Sequence, residues 1–298
     1  MLRDGVPTTL RCRDLVIDLS GPVVMGILNI TPDSFYAASR MTGEVASIVD
    51  TAGQMVRDGA TILDVGGMST RPGAPEISEA EELDRVLPVV TAIAEAFPEI
   101  VVAVDTYRAG VAREALAAGA RMINDISGFD RDPDMPATVA RAQAAYVLMH
   151  MRGTPSTMNQ MTDYEDVVGD VLKYFVSKIR ALSAAGIHEV LVDPGFGFAK
   201  TPAQNYRLID RLATFRLTGC PVLVGVSRKS TLQRTVGRDA AGTLDATTAL
   251  HMAALLNGAS VLRVHDVRPA ADAIVVYRDL MAARHAQSFP GKAPLYTS

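Results

Sequence analysis

In the stretch IVVAVDTY (100–107), an apolar, largely β-branched run from Ile100 to Val104 stops at Asp105. A run of this kind reads as a strand buried on both faces. An acid at its C-terminal end does nothing for such burial. Seven other runs stop in the same way. Val23–Leu28 ends at Asn29, Ile62-Leu63 at Asp64, and Met122-Ile123 at Asn124-Asp125. Ala145–Met149 ends at His150, Val190–Val192 at Asp193, Val222–Val226 at Ser227, and Val261–Val264 at His265. Stretches of helical periodicity separate most of them. The pattern predicts an α/β chain folded as a single (β/α)8 TIM barrel, in which polar groups at the strand C-termini converge on one mouth.

Outward from these strands, LRCRDLVIDLS (10–20) reads as an N-terminal β-hairpin around Arg13 and Asp14, capping the barrel bottom. Ser78 and Glu81 have capping-box spacing ahead of the helix carrying Leu83, Val86, Leu87 and Val90. Further helices are predicted over 111–118, 163–185, 245–256 and 270–284, the first three stopped by Gly119, Gly186 and Gly258. The barrel core then occupies about 23–284 of one domain spanning 1–298. Loops 30–43, 66–77 and 151–162 are rich in Gly, Pro or Thr, as expected of mobile elements that cover a substrate.

The chain has 298 residues, 48% of them hydrophobic, enough to fill a barrel and its helical coat. A net charge of −4 argues against nucleic acid as a partner, while leaving room for a local anion site. Two cysteines, Cys12 and Cys220, suggest neither a disulfide framework nor a zinc site. No run reaches membrane-span length and the N-terminus has no signal-peptide core, so a cytoplasmic protein without a membrane partner is expected.

Asp105, Asn124 and Asp193 come from three strand ends. A carboxylate accepts two parallel donors, such as an amino group beside a ring N–H on a flat heterocycle. The bland reading is that these groups orient backbone or water. Ser227, Arg228, Lys229 and Ser230 lead into a helix, and Arg263 and His265 lie on the last strand. The loops after strands 7 and 8 of a barrel often hold an anion, although a solvated basic turn is the alternative. The glycine-rich loop 66–73 offers Thr70 and Arg71 to an anion as well. No Walker loop, dinucleotide fingerprint or Ser-His-Asp order is present. The inventory is rich in binding groups and lacks an activated nucleophile.

Eight blocks occur in the order of the dihydropteroate synthase family, which the chain resembles over roughly residues 10 to 280. They are MGILNITPDSF (25–35), DVGGMSTRPGA (64–74), VDT (104–106), NDISG (124–128), MHMRGTPSTM (149–158), DPGFGFAKT (193–201), GVSRKS (225–230) and RVHDV (263–267). The resemblance implies condensation of a dihydropterin methyl diphosphate with 4-aminobenzoate, with Mg2+ as cofactor, in a homodimer that is a sulfonamide target. It places Asp105, Asn124, Asp193 and Lys229 on the pterin, with Ile126, Met149 and Phe198 as apolar walls. Asn29, Arg71, Arg263 and His265 go to the diphosphate, Asn29 on the metal side. Phe35, Thr70, Pro72 and Ser230 go to 4-aminobenzoate. Asp105, Lys229 and Arg263 are the residues expected to take part in the chemistry.

Met68 stands where this family usually has Glu, and Tyr36–Ser39 replaces its usual Ser-Asp-Gly-Gly. Two other readings remain. A methyltetrahydrofolate-binding methyltransferase shares the pterin barrel but has no use for the Thr70-Arg71-Pro72 loop or the SRKS group. A non-catalytic pterin- or protein-binding paralogue has no use for Asn29, Asp105, Lys229 and Arg263 together.

Overall fold

A computed structural model describes residues 5–30, 41–68 and 76–288. The eight runs are its barrel strands: β3 (Val23–Asn29), β4 (Ala60–Gly66), β5 (Val101–Asp105), β6 (Met122–Asp125), β7 (Ala145–Met149), β8 (Val190–Asp193), β9 (Leu223–Val224) and β10 (Val261–Val264). They pair in parallel in the order β8-β7-β6-β5-β4-β3-β10-β9. A bridge between Val192 and Val222 joins β8 to β9 and closes the ring. The TIM-barrel expectation therefore holds.

The expected hairpin is present as β1 (Thr9–Cys12) and β2 (Leu15–Asp18), antiparallel from Thr9↔Asp18 to Cys12↔Leu15. Its turn has Arg13 at φ 59°, and the Arg13 guanidinium donates to the carbonyls of Leu116 and Ala120. Leu10, Cys12, Ile17 and Leu19 of the hairpin form one buried cluster with Met25, Ile62, Val101, Ala103, Met122, Ala145, Val147, Leu191, Leu223 and Val261. The hairpin is thus the apolar floor beneath the barrel interior.

Nine helices are found among the described residues: α1 (Met41–Arg57), α2 (Glu79–Ala96), α3 (Ala109–Ala117), α4 (Met135–Ala142), α5 (Val167–Ala184), α6 (Pro202–Asp210), α7 (Ser230–Val236), α8 (Leu244–Leu256) and α9 (Val267–Ser288). Ser78 accepts from the Glu81 amide at the start of α2, and Thr201 and Gln204 close a full reciprocal box at α6. The helix expected from 163 starts at Val167, because Asp166 takes the cap and accepts from the Val168 amide. Loop 151–162 is tied down rather than open. Thr154 and Thr157 bond one another, and Arg152 stacks 3.7 Å from the Tyr164 ring centre. Among the described residues no helix is long and apolar enough to cross a membrane.

Side chains alternate along a strand, so residues two apart share a face. The inward set that begins with Met25, Ile62, Ala103, Met122, Val147, Leu191, Leu223 and Val261 therefore continues with Ile27, Asp64, Asp105, Asn124, Met149, Asp193, Gly225 and Arg263. Apolar packing passes into polar chemistry one inward step up the same strands.

Candidate active site

The parallel register pairs Asn29 with Gly66, Gly66 with Asp105, and Asp105 with Asn124, so these strand ends lie side by side. Met149 pairs with Asp193 across the next gap but one. Arg263 starts lower, opposite Met25, and its long side chain reaches up into this layer. Its Nε donates to Asp64 Oδ2 at 2.6 Å and its Nη2 to Asp105 Oδ2 at 2.7 Å. Asn124 Nδ2 donates to the same Asp64 oxygen at 2.9 Å. One guanidinium and one amide thus converge on a carboxylate that is fully buried.

Burial pushes the Asp105 carboxyl up, against the pull of Arg263 and with the help of the Asp64 charge. Burial also works against the charge of Arg263. The two carboxylates outweigh it and raise its pKa, so the cation is permanent. Asp193 is raised by burial too, with Lys229 opposing. Its Oδ1 accepts from the Gly195 amide at 2.8 Å. Lys229 is lowered to about 8 by burial, partly offset by Asp193. Its Nζ donates to the Phe196 carbonyl and sits 4.4 Å from the centre of the Phe198 ring.

A wall faces these charges. Tyr107, Ile126, Met149, Met151, Met158 and Ala199 form one buried cluster, with Met68 and Phe198 packed against it. Between Asp193 and Arg263 the inward position is Gly225. A Cβ built there would meet its nearest neighbours, Arg263 and Asp193 Oδ2 among them, only at 3.9 Å. The result is an apolar wall beside buried acceptors and cations, with no side chain at the Gly225 position between them. Such an arrangement suits a flat polar ring.

The model of the family described as "Pterin binding enzyme" matches residues 25–265. The dihydropteroate synthase of Escherichia coli K12 is 42% identical over 283 residues, covering 90% of this chain and 95% of that protein. The structure of Yersinia pestis dihydropteroate synthase in complex with a sulfonamide drug superposes with a TM-score of 0.86 at 39% identity, covering 92% and 99% of the two chains. That of Xanthomonas albilineans dihydropteroate synthase with 7,8-dihydropteroate has a TM-score of 0.81 at 37% identity, with the same coverage. The chain belongs to the pterin-binding enzyme family.

For a pterin-binding barrel, the structure brings together Asp105, Asn124, Asp193, Lys229 and Arg263, and places Ile126, Met149 and Phe198 in one apolar wall. His265 lies at the rim, where its amide and its Nδ1 both meet Ser227 Oγ, at 3.2 and 3.1 Å. Asn29 and Ser230 are exposed at the mouth, Ser230 as the first residue of α7. Phe35, Thr70, Arg71 and Pro72 lie outside the described residues.

Three strand-end groups behave differently from the convergence read in the sequence. Asp125 points outward, one residue past Asn124, and its carboxylate is consumed by Ser127, the Phe129 amide and the Tyr146 hydroxyl. His150 also turns away from the mouth, its ring edge-on to Tyr174 at 4.9 Å. Arg228, counted among the cations of the anion site, adopts φ 55° and forms a bidentate pair with Asp266 at 2.8 and 2.6 Å. Asp64 is the residue that the sequence reading left out of the site. Its signal was there, a strand-end acid with the inward parity of Ile62.

Proposed function

We propose that this chain is a dihydropteroate synthase, joining (7,8-dihydropterin-6-yl)methyl diphosphate to 4-aminobenzoate and releasing 7,8-dihydropteroate and diphosphate. The observation that carries the reading is the placing of Asp193 and Lys229, each within the field of the other, beside an apolar wall and next to a cation locked between Asp64 and Asp105. Asp193 accepts the paired N–H donors of the pterin edge, and the Met149–Ile126 wall covers a ring face. Asn124 supplies an amide to the ring. The C–O bond of the methylene breaks with its electron pair leaving on diphosphate, and the remaining cation is delocalised into the ring. Asp105 stabilises that positive charge. The aniline nitrogen then bonds to the methylene and loses a proton to water, so no protein nucleophile is required.

A guanidinium has five N–H donors. Arg263 commits two of them to carboxylates, which leaves donors for the departing diphosphate alongside His265. The family resemblance assigns Arg71 to the diphosphate as well, and Phe35, Thr70, Pro72 and Ser230 to 4-aminobenzoate. Mg2+ takes oxygen ligands and keeps several of its waters, so one amide oxygen at an exposed strand end suits it. Asn29 would hold the ion, with the other oxygens coming from the diphosphate and water. When bound, Mg2+ neutralises charge on the leaving group.

The enzyme is a cytoplasmic homodimer built of one barrel domain. Val275, Val276 and Leu280 on α9 and Leu256 on α8 expose an apolar strip on adjacent late helices, which supports self-association. Diphosphate release from the pterin substrate tests the activity. It should require both 4-aminobenzoate and Mg2+. Release that ignores 4-aminobenzoate, or none at all, overturns the assignment.

A further inference from the structure

Lys200 is a buried lysine with no role in the proposed reaction; burial lowers its pKa to about 7, partly offset by the Asp193 charge. It ends the 193–200 segment, DPGFGFAK, which runs from the last residue of β8 toward α6. Its Nζ meets the Phe198 carbonyl at 2.9 Å, His150 Nδ1 at 3.0 Å, the Gly195 carbonyl at 3.1 Å and, more weakly, the His150 carbonyl at 3.4 Å. An ammonium has three N–H donors, so these acceptors saturate it. Toward a charged Lys200, His150 accepts through a bare Nδ1, with its ring neutral and the proton on Nε2. Burial, then the nearby Lys200 charge, lowers its pKa to about 2 and keeps it neutral. None of the oxygens touching Lys200 is a carboxylate. Burying that charge without an ion-pair partner is costly, which is why its pKa falls, and its hydrogen bonds to the loop are what hold the amine in place.

The same short segment carries Asp193 and touches Lys229, the two groups assigned to the pterin edge. The Gly195 amide fixes Asp193 Oδ1 at 2.8 Å. The Phe196 carbonyl accepts from Lys229, and the Phe198 ring lies beneath that ammonium. Lys200 gathers the carbonyls on either side, those of Gly195 and Phe198, and ties them to β7 through His150. Gly195, at φ 69°, packs so closely on the His150 carbonyl that a Cβ would come within 2.0 Å of it. The loop therefore has one tight seat against β7, and Lys200 is its clasp.

We propose that Lys200 is a positioning residue for the pterin site, holding the 193–200 segment in the shape that aims Asp193 and Lys229 at the ring. The proposal rests on the assignment of those two residues to pterin. Ligand groups keep their aim only when the residues behind them are locked. Loss of the clasp lets the two groups drift without removing either.

The test is calorimetric titration of a pterin, 6-hydroxymethylpterin, into wild-type protein, Lys200→Met and Asp193→Asn, with 4-aminobenzoate KM measured at saturating pterin diphosphate. Lys200→Met keeps length and apolar bulk while deleting the donors. We expect its pterin Kd to rise on the order of tenfold, with the 4-aminobenzoate KM unchanged. A purely structural role would lower the fraction of active protein and leave Kd alone. Unchanged pterin Kd in a folded Lys200→Met, alongside weakened binding in Asp193→Asn, overturns the clasp and spares the pterin site. Unchanged Kd in both overturns the pterin assignment itself. Should Lys200→Met not fold, His150→Phe keeps a ring against Tyr174 and deletes the ring nitrogens, Nδ1 with them. It should raise pterin Kd by about threefold, and an unchanged value there overturns the proposal equally.

Discussion

At the level of Met25, Ala103, Met122, Val147 and Leu191 the barrel interior is apolar and sealed below by four hairpin side chains. One inward step further along the same strands, about 7 Å, it carries Asp64, Asp105, Asn124, Asp193 and Arg263. The lower layer stabilises by removing apolar surface from water. The upper layer crowds buried carboxylates around cations, an arrangement that contributes little to stability and fails badly when one partner is lost. The contrast shows that the strands are common property while the two ends answer to different demands, cohesion below and recognition above.

The sharpest way to break that division is Arg263→Met. It leaves Asp64 and Asp105 buried without their shared cation. We expect kcat/KM to fall at least about a hundredfold, together with a stability loss of about 3–5 kcal/mol. Retention of activity within about tenfold would mean that the polar layer is not the working one. The matching change below is Leu10→Ala in the hairpin. Denaturant unfolding should show a loss of about 2–5 kcal/mol, while kcat and both KM values stay near wild type in the folded enzyme. A large change in pterin KM would show that the two layers are coupled.

A pH titration separates the layers next, since the lower one holds only the Cys12 thiol, pushed up to about 12 by burial, while the upper one titrates nearer neutrality. Lys229 has its pKa lowered to about 8, so it is charged below that pH and neutral above it. Pterin affinity should therefore weaken as pH rises through about 8. Lys229→Arg, which stays charged, should flatten that limb. A limb that persists in the variant assigns it to another group. The smallest effect belongs to the rim. Met68 packs on the wall and lies 3.6 Å from the Tyr107 hydroxyl, which already donates to Glu76 at 2.5 Å. Met68→Glu would bring a second carboxylate to that phenol. The 4-aminobenzoate KM should change by about threefold, with pterin Kd unaffected. A variant whose main defect lies in pterin binding would move position 68 from the rim to the floor.

Much of the barrel was legible because strand burial, strand ends and helix stops are local features of sequence. The hairpin was legible for the same reason. Asp105, Asn124 and Asp193 stood out as polar ends of apolar runs, and the structure sets all three in the inward layer. The same rule also picked Asp125 and His150, which face outward. A strand end names two adjacent residues, and one residue of register decides which of them looks in. Asp64 carried the correct parity and could have been included. The turn of Arg228 toward Asp266 depends on a left-handed backbone and a partner 38 positions away. Nothing in the local pattern announces it. The Lys200 contacts are of the same kind, assembled from the residue after β7 and the loop between β8 and α6.

Gly225 acquires a meaning from its surroundings. Its place in the polar layer is the one inward position there without a side chain, and the protein around it would accept a methyl group without a clash. An alanine would therefore cost the empty enzyme almost nothing and would go unnoticed in an assay of folding. It would stand in the space between Asp193 and Arg263. The glycine acts as a gauge for the guest rather than for the host, and only a ligand-binding measurement can read it.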